Sequence, residues 1–131
     1  MILLDTHVLV WSLEGNAKLG KKTRQILASS ATKLSVSAIS FWEISMLVER
    51  NRLTISSDTA LWRKEVIALG VKEIAIDGEI GIEASRLTNF HADPADRLIV
   101  ATALRQGIPI LTADERILAW KGGASVIDAR Q

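Results

Sequence analysis

The chain predicts an α/β fold: a central, mostly parallel sheet of about five strands flanked by helices. Two observations predict it. Short strand-like runs recur at Ile2-Leu3-Leu4, Lys33-Leu34-Ser35-Val36, Glu73-Ile74-Ala75-Ile76, Pro109-Ile110-Leu111 and Ser125-Val126-Ile127. Stretches with helical spacing and capping residues separate them, which is the order of a parallel sheet with crossover helices. In such sheets ligands bind beyond the carboxyl ends of the strands, and Asp5 and Asp114 stand at two of those ends.

The elements follow in order. Ile2 to Leu4 is a continuous apolar run, the mark of a strand buried on both faces. Val8, Leu9, Val10, Trp11 and Leu13 begin a helix or turn that Gly15-Asn16 ends. Lys18 to Ser30 reads as a second helix, with Leu19, Thr23, Ile26 and Leu27 on its apolar side. After the Lys33–Val36 strand, Ser37 or Ser40 caps a helix that runs to about Arg50. Its apolar positions (Ile39, Trp42, Ile44, Met46, Leu47, Val48) nearly surround it, so much of it is expected to be buried. Asp58 caps a helix through Leu69, closed by Gly70. The Glu73–Ile76 strand leads to Asp77, which caps a helix through Leu87. Asp93-Pro94 opens a helix from Pro94 to Gln106, with proline at the first position and Gly107 just past the end. A strand at Pro109–Leu111, a short helix from Asp114 to Trp120 and a strand at Ser125–Ile127 complete the chain.

With 131 residues and a 48% hydrophobic share, residues 1–131 are expected to form one domain around a proper core. The formal net charge of +1 is not the strongly basic footprint of a nucleic-acid coat, so any nucleic-acid contact is local or metal-bridged. There are no cysteines, which removes disulfides, thiolate nucleophiles and Cys-based zinc sites and fits a reducing cytoplasm. The first residues lack the positive region of a signal peptide, and no apolar run approaches the roughly 20 residues that span a bilayer.

Four acids carry the chemical interest: Asp5, Glu43, Asp96 and Asp114. Singly, three have another explanation. Asp5 can cap the helix that follows, with Thr6 helping, and Asp114 can be a plain N-cap. Asp93 and Asp96 form a helix start, with Asp93 as N-cap and Asp96 at N3. Capping accounts for Asp93. Glu43 resists that treatment, because Trp42, Ile44 and Leu47 make a poor bed for an unpaired charge and Arg50 is remote. A divalent metal explains the four jointly, and metal with carboxylates points to phosphodiester chemistry. Arg97, Arg116 and Lys121 lie near the acids in sequence and are candidate phosphate contacts. Lys18, Lys21, Lys22 and Arg24 read as a solvated helix face. His7 and His91 neighbour acidic motifs and are assigned no catalytic part; His7 reads as a packing or hydrogen-bonding residue. Most of the four tryptophans (Trp11, Trp42, Trp62, Trp120) are expected in the core, with Trp11 and Trp62 able to line an apolar groove.

Four segments resemble a known family. Met1-Ile2-Leu3-Leu4-Asp5-Thr6-His7-Val8-Leu9-Val10-Trp11 resembles the opening of PIN-domain proteins. Ser37-Ala38-Ile39-Ser40-Phe41-Trp42-Glu43-Ile44 is similar to their central helix with its single acid. Asp93-Pro94-Ala95-Asp96-Arg97-Leu98-Ile99-Val100-Ala101-Thr102-Ala103 resembles their third motif, and Pro109-Ile110-Leu111-Thr112-Ala113-Asp114 their fourth. Order, spacing and nearly the whole length match, and the nearest group is the VapC-type toxins of toxin–antitoxin pairs. Asn51 to Asn89 carries no readable motif.

The resemblance implies a Mg²⁺- or Mn²⁺-dependent endoribonuclease with a PIN-like fold. It maps the family acids onto Asp5, Glu43, Asp96 and Asp114, with Asp5 and Asp96 as first-choice metal ligands. Thr112 matches a supporting hydroxyl, Thr6 serves likewise, and Asp93 stands behind the quartet. It also implies a VapB-type antitoxin seated in an apolar groove and a homodimer. The expected reaction is hydrolysis of RNA to a 5′-phosphate and a 3′-hydroxyl. Two other readings remain open: an inactive PIN-like binding module, and a solitary RNA-processing nuclease without antitoxin. A phosphotransfer receiver domain is disfavoured because Asp5 stands alone and Lys121 precedes the last strand; a haloacid-dehalogenase-type phosphatase is disfavoured because His7 stands where its second acid belongs.

Overall fold

The computed structural model describes residues 1–131. Five strands, β1 (Ile2–Leu4), β2 (Leu34–Ser37), β3 (Lys72–Ile74), β4 (Ile110–Thr112) and β5 (Val126–Asp128), form one sheet in the order β3-β2-β1-β4-β5. Every pairing is parallel, so "mostly parallel" becomes wholly parallel. Seven helices connect and cover them: α1 (Thr6–Glu14), α2 (Lys21–Ala28), α3 (Ala38–Glu49), α4 (Thr59–Ala68), α5 (Gly78–Arg86), α6 (Pro94–Gln106) and α7 (Glu115–Ala119).

Alternation along each strand divides the core between the two faces of the sheet. Leu4, Val36 and Leu111 join Val8, Leu9 and Val10 of α1, Phe41 and Ile44 of α3, and Trp62 and Val66 of α4. Leu3 and Ile110 point the other way, onto Ile99, Val100 and Ala103 of α6 and Ile117 of α7. α5 completes the second side by packing Ile80 and Ala84 against Ala101 of α6. No helix is long and apolar enough to cross a membrane.

The order of the strands fixes where a site can form. The chain builds β1, adds β2 and β3 on one side, then crosses to place β4 on the other side of β1. The direction of winding therefore reverses at the β1–β4 boundary, which is where parallel sheets open a crevice beyond their carboxyl ends. Asp5 and Asp114 flank that boundary, each as N-cap of the helix that leaves it.

Three expectations need correction. The second helix starts at Lys21 rather than Lys18, because the Asn16 side chain takes the Lys18 N–H and holds the chain in a turn. The all-round apolar pattern of α3 does not mean all-round burial: Trp42 is 54% exposed, and Met46, Leu47 and Val48 are only half-buried. Of the four tryptophans only Trp62 is fully buried, while Trp11 and Trp120 are half-buried.

Candidate active site

Asp5 is the most enclosed of the acids, with 5% of its surface exposed. One carboxylate oxygen accepts from the Thr6 N–H at 2.8 Å, and the other accepts from the Thr112 hydroxyl at 2.7 Å. The same Thr112 oxygen accepts from the Asp114 N–H at 3.0 Å. One hydroxyl thus ties the acid ending β1 to the backbone of the acid following β4. Asp5 has no ion-pair partner among the salt bridges of the chain. Burial pushes its carboxyl above the usual range; the Thr112 bond opposes this, and the charge of Asp96 adds to it.

Glu43 reaches the same region from α3. Its Oε1 is buried and has no hydrogen-bond partner. Burial raises its pKa; the nearby Thr6 hydroxyl opposes this, and the charges of Asp5 and Asp96 add to it. Ser40, one turn earlier on α3, joins the hydroxyl of Thr6 at 2.8 Å, which docks the start of α1 against this helix. Thr6 and Ser40 are both almost fully buried.

Asp96 lies in the first turn of α6 and is 6% exposed. His91 Nε2 lies 2.6 Å from its Oδ2, and the Arg116 guanidinium reaches the same oxygen at 3.4 Å. Burial raises the Asp96 pKa; the His91 bond opposes that, and Asp93 and Asp114 reinforce it by repulsion. Asp114 differs. Burial raises it too, but the hydrogen bonds and positive charge of Arg116 prevail and hold it below the usual carboxylate range. Arg116 therefore bridges Asp114 and Asp96.

Electrostatics joins the four acids into one centre: Asp5 senses Asp96, Glu43 senses Asp5 and Asp96, and Asp96 senses Asp114. No three acidic or histidine side chains are drawn together closely enough to coordinate an ion as they stand. The donor set nevertheless fits a hard divalent cation. It consists of oxygens, it includes the orphaned Glu43 Oε1, and it includes a buried Asp5 with no cation beside it.

The remaining candidates separate. Asp93 caps α6, accepting from the Ala95 and Asp96 N–H groups at 3.0 and 3.4 Å. Arg97 is corrected from phosphate contact to structural clamp. Its guanidinium donates to the carbonyls of Ala84, Leu87, Phe90 and His91 at 2.8–3.0 Å. Few of its donors remain for a substrate. Lys121 is exposed and takes part in no ion pair. Lys21, Lys22 and Arg24 are exposed on α2, as a solvated face requires, and exposed His7 lies with its ring 6.0 Å from that of Trp11. His91 is the contact that sequence reasoning passed over; its only signal is its place just before the Asp93-Pro94 cap.

The winding, the switch point and the linked acids define a class, and the comparison with known families agrees. Residues 2–121 match the PIN domain model, and the chain belongs to the PIN-domain family. Within that family it stands with VapC-type proteins. It is 33% identical over 117 residues to Ribonuclease VapC22 of Mycobacterium tuberculosis, covering 88% of each chain. The fold is shared with the solved VapBC2 complex of Rickettsia felis, at TM-score 0.71 and 12% identity over 98% of both chains. It is also shared with VapC20 of Mycobacterium tuberculosis, described as a sarcin-ricin loop cleaving toxin. That likeness has TM-score 0.61 and 20% identity over 91% of this chain and 94% of the other.

Proposed function

We propose that this protein is a Mg²⁺- or Mn²⁺-dependent endoribonuclease toxin, acting in the cytoplasm and neutralised by a VapB-type antitoxin. One observation supports the reading: beyond the carboxyl end of β1, Asp5 is 5% exposed and Glu43 Oε1 is buried without a hydrogen-bond partner, and no salt bridge of the chain reaches either acid. The 33% identity to a ribonuclease supports the same chemistry.

Asp5 and Asp96 would hold the cation directly, with Glu43 and Asp114 binding it or orienting its waters. A bound divalent ion would supply an activated water and neutralise charge developing on the scissile phosphate. Thr112 holds the Asp5 carboxylate in place and keeps the two strand ends together. Thr6 fixes the first turn of α1 against α3. Arg116, 58% exposed at its side chain, can leave the acids for an incoming phosphate. The products would be a 5′-phosphate and a 3′-hydroxyl.

The antitoxin half of the reading is supported by a recess of about 240 Å³ between α1 and α4, with Val10, Leu13, Ile55 and Trp62 as its apolar lining and Glu14, Thr54 and Ser56 at its polar side. Leu13 and Leu61 are exposed on those two helices. A partner's apolar helix suits such a groove. The protein is further proposed to act as a homodimer.

The purified chain should cut RNA when Mg²⁺ or Mn²⁺ is added and stop when a chelator is added. Cleavage that persists undiminished in chelator would defeat the metal assignment, and no cleavage under any divalent ion would defeat the nuclease reading.

A further inference from the structure

His91 has no place in the acidic quartet, yet it makes the closest side-chain contact to it. Its Nε2 lies 2.6 Å from Asp96 Oδ2, with the two side chains only 19% and 9% exposed. The ring is not free to wander. Its own carbonyl and that of Phe90 accept from Arg97 Nη1 at 3.0 and 2.9 Å. The Phe90 ring lies 4.3 Å from the imidazole and meets Trp120 edge-on at 5.3 Å. Trp120 in turn donates its indole N–H to the Thr88 carbonyl at 2.9 Å. A loop without regular structure is thus held from both ends, and the imidazole is aimed at one oxygen.

The choice of oxygen matters. Both contacts to the Asp96 carboxylate, from His91 and from Arg116, fall on Oδ2. Oδ1 is left as the oxygen available to a cation. An aspartate that accepts a fixed bond on one oxygen keeps its rotamer and presents the other without first being ordered.

We propose that His91 is a positioning residue for the metal centre: it donates from Nε2 to Asp96 Oδ2, so that Asp96 meets a divalent cation through a pre-oriented Oδ1. This rests on the nuclease reading above, but its direct consequence is metal affinity. Arg97 belongs to the same device one step back, because it fixes the backbone that carries the imidazole.

The test compares His91→Leu, which removes the donor, with His91→Gln, whose Nε2 can still reach the carboxylate. Both lose the ring contact with Phe90, so packing alone predicts equal effects. Mn²⁺ binding is measured by titration calorimetry, and RNA cleavage across a range of Mn²⁺ concentrations. His91→Leu should bind Mn²⁺ about 10- to 100-fold more weakly. His91→Gln should stay within about threefold of the unsubstituted protein. In His91→Leu, KM for RNA should hold steady while kcat falls at low Mn²⁺ and recovers as Mn²⁺ is raised. If the leucine variant melts below the assay temperature, His91→Met replaces it.

Unchanged Mn²⁺ affinity in the donor-less variant overturns the proposal, as does equal loss in both variants. An unsubstituted chain that binds Mn²⁺ but leaves RNA intact removes the nuclease reading, while the calorimetric difference still upholds the positioning role. A chain that binds no Mn²⁺ removes both.

Discussion

Replacing Arg97 with methionine separates two roles that its position beside Asp96 confuses. Methionine keeps much of the side chain's apolar volume and removes every donor. Four carbonyls then lose their partner: Ala84 and Leu87 at the end of α5, and Phe90 and His91 in the following loop. A hydrogen bond from a charged donor contributes about 1.5–3 kcal/mol where the acceptor is otherwise dry, and less where water can replace it. Arg97 is only half-buried, so water takes over some of the acceptors. About 1 kcal/mol for each of the four carbonyls gives a destabilisation of about 3–4 kcal/mol. For a domain of this size that is a fall in Tm of roughly 10 °C. Thermal and urea melts followed by circular dichroism read it directly. Arg97→Lys should recover only a minor part, since one ammonium cannot span four carbonyls. A melting point within about 2 °C of the unsubstituted protein, combined with weakened RNA binding, would refute the clamp and restore Arg97 as a phosphate contact.

Arg116→Ala should leave stability nearly unchanged, because its bonds to Asp96 and Asp114 are long and the side chain is largely exposed. The same variant should bind Mn²⁺ about two- to fivefold more tightly, through loss of a competing cation, and bind RNA more weakly. Looser Mn²⁺ binding in calorimetry would count against this role. The three acids raised by burial also set a pH trend. A carboxyl whose folded pKa exceeds its unfolded value favours the folded state while protonated. For Asp5, Glu43 and Asp96 that contribution is full below the unfolded carboxyl range and is lost as pH climbs through their raised values. The metal-free protein should therefore lose part of its stability from about pH 4 upward as these groups ionise. Mn²⁺ should raise Tm more at about pH 7.5 than at about pH 5, and an equal rise at both would contradict the assignment. Glu73, Asp114 and Asp128, held low beside arginines, act in the opposite sense, but their arginine partners are 42–58% exposed, so solvent screens these pairs and they contribute little.

Much of the fold was legible because its signals are local. Pro94 at N1 and Gly107 past the end bound α6 at both termini, and the helix runs over the residues those signals mark. Gly107 adopts the left-handed conformation, φ 65°, that a helix stop of this type requires. The start of α2 was not legible. Leu19 is buried like a helical apolar position, yet it lies in the turn that Asn16 stabilises. Trp42 misled because apolar composition around a helix does not say which sides are covered by other elements. The acids could be picked out from strand ends and caps, but their shared electrostatics depends on the strand order, which brings β4 beside β1. Arg97 and Asp96 are adjacent in sequence, and successive helical residues point roughly 100° apart. One faces the acids and the other the end of α5. His91 sits in a loop with no periodicity, so only the folded chain shows that it meets Asp96.

On this reading Asp5 is a buried charge retained for a cation. Asp5→Asn tests it most directly. The amide keeps the shape, its oxygen can still accept from Thr6 N–H, and its Nδ2 can donate to the Thr112 oxygen in place of the bond that Thr112 now donates, while the unbalanced charge disappears. The variant should have a metal-free melting point at or above that of the unsubstituted protein, together with a fall in Mn²⁺-dependent RNA cleavage of about 100-fold or more. A folded Asp5→Asn protein that cuts RNA at the full rate would contradict it.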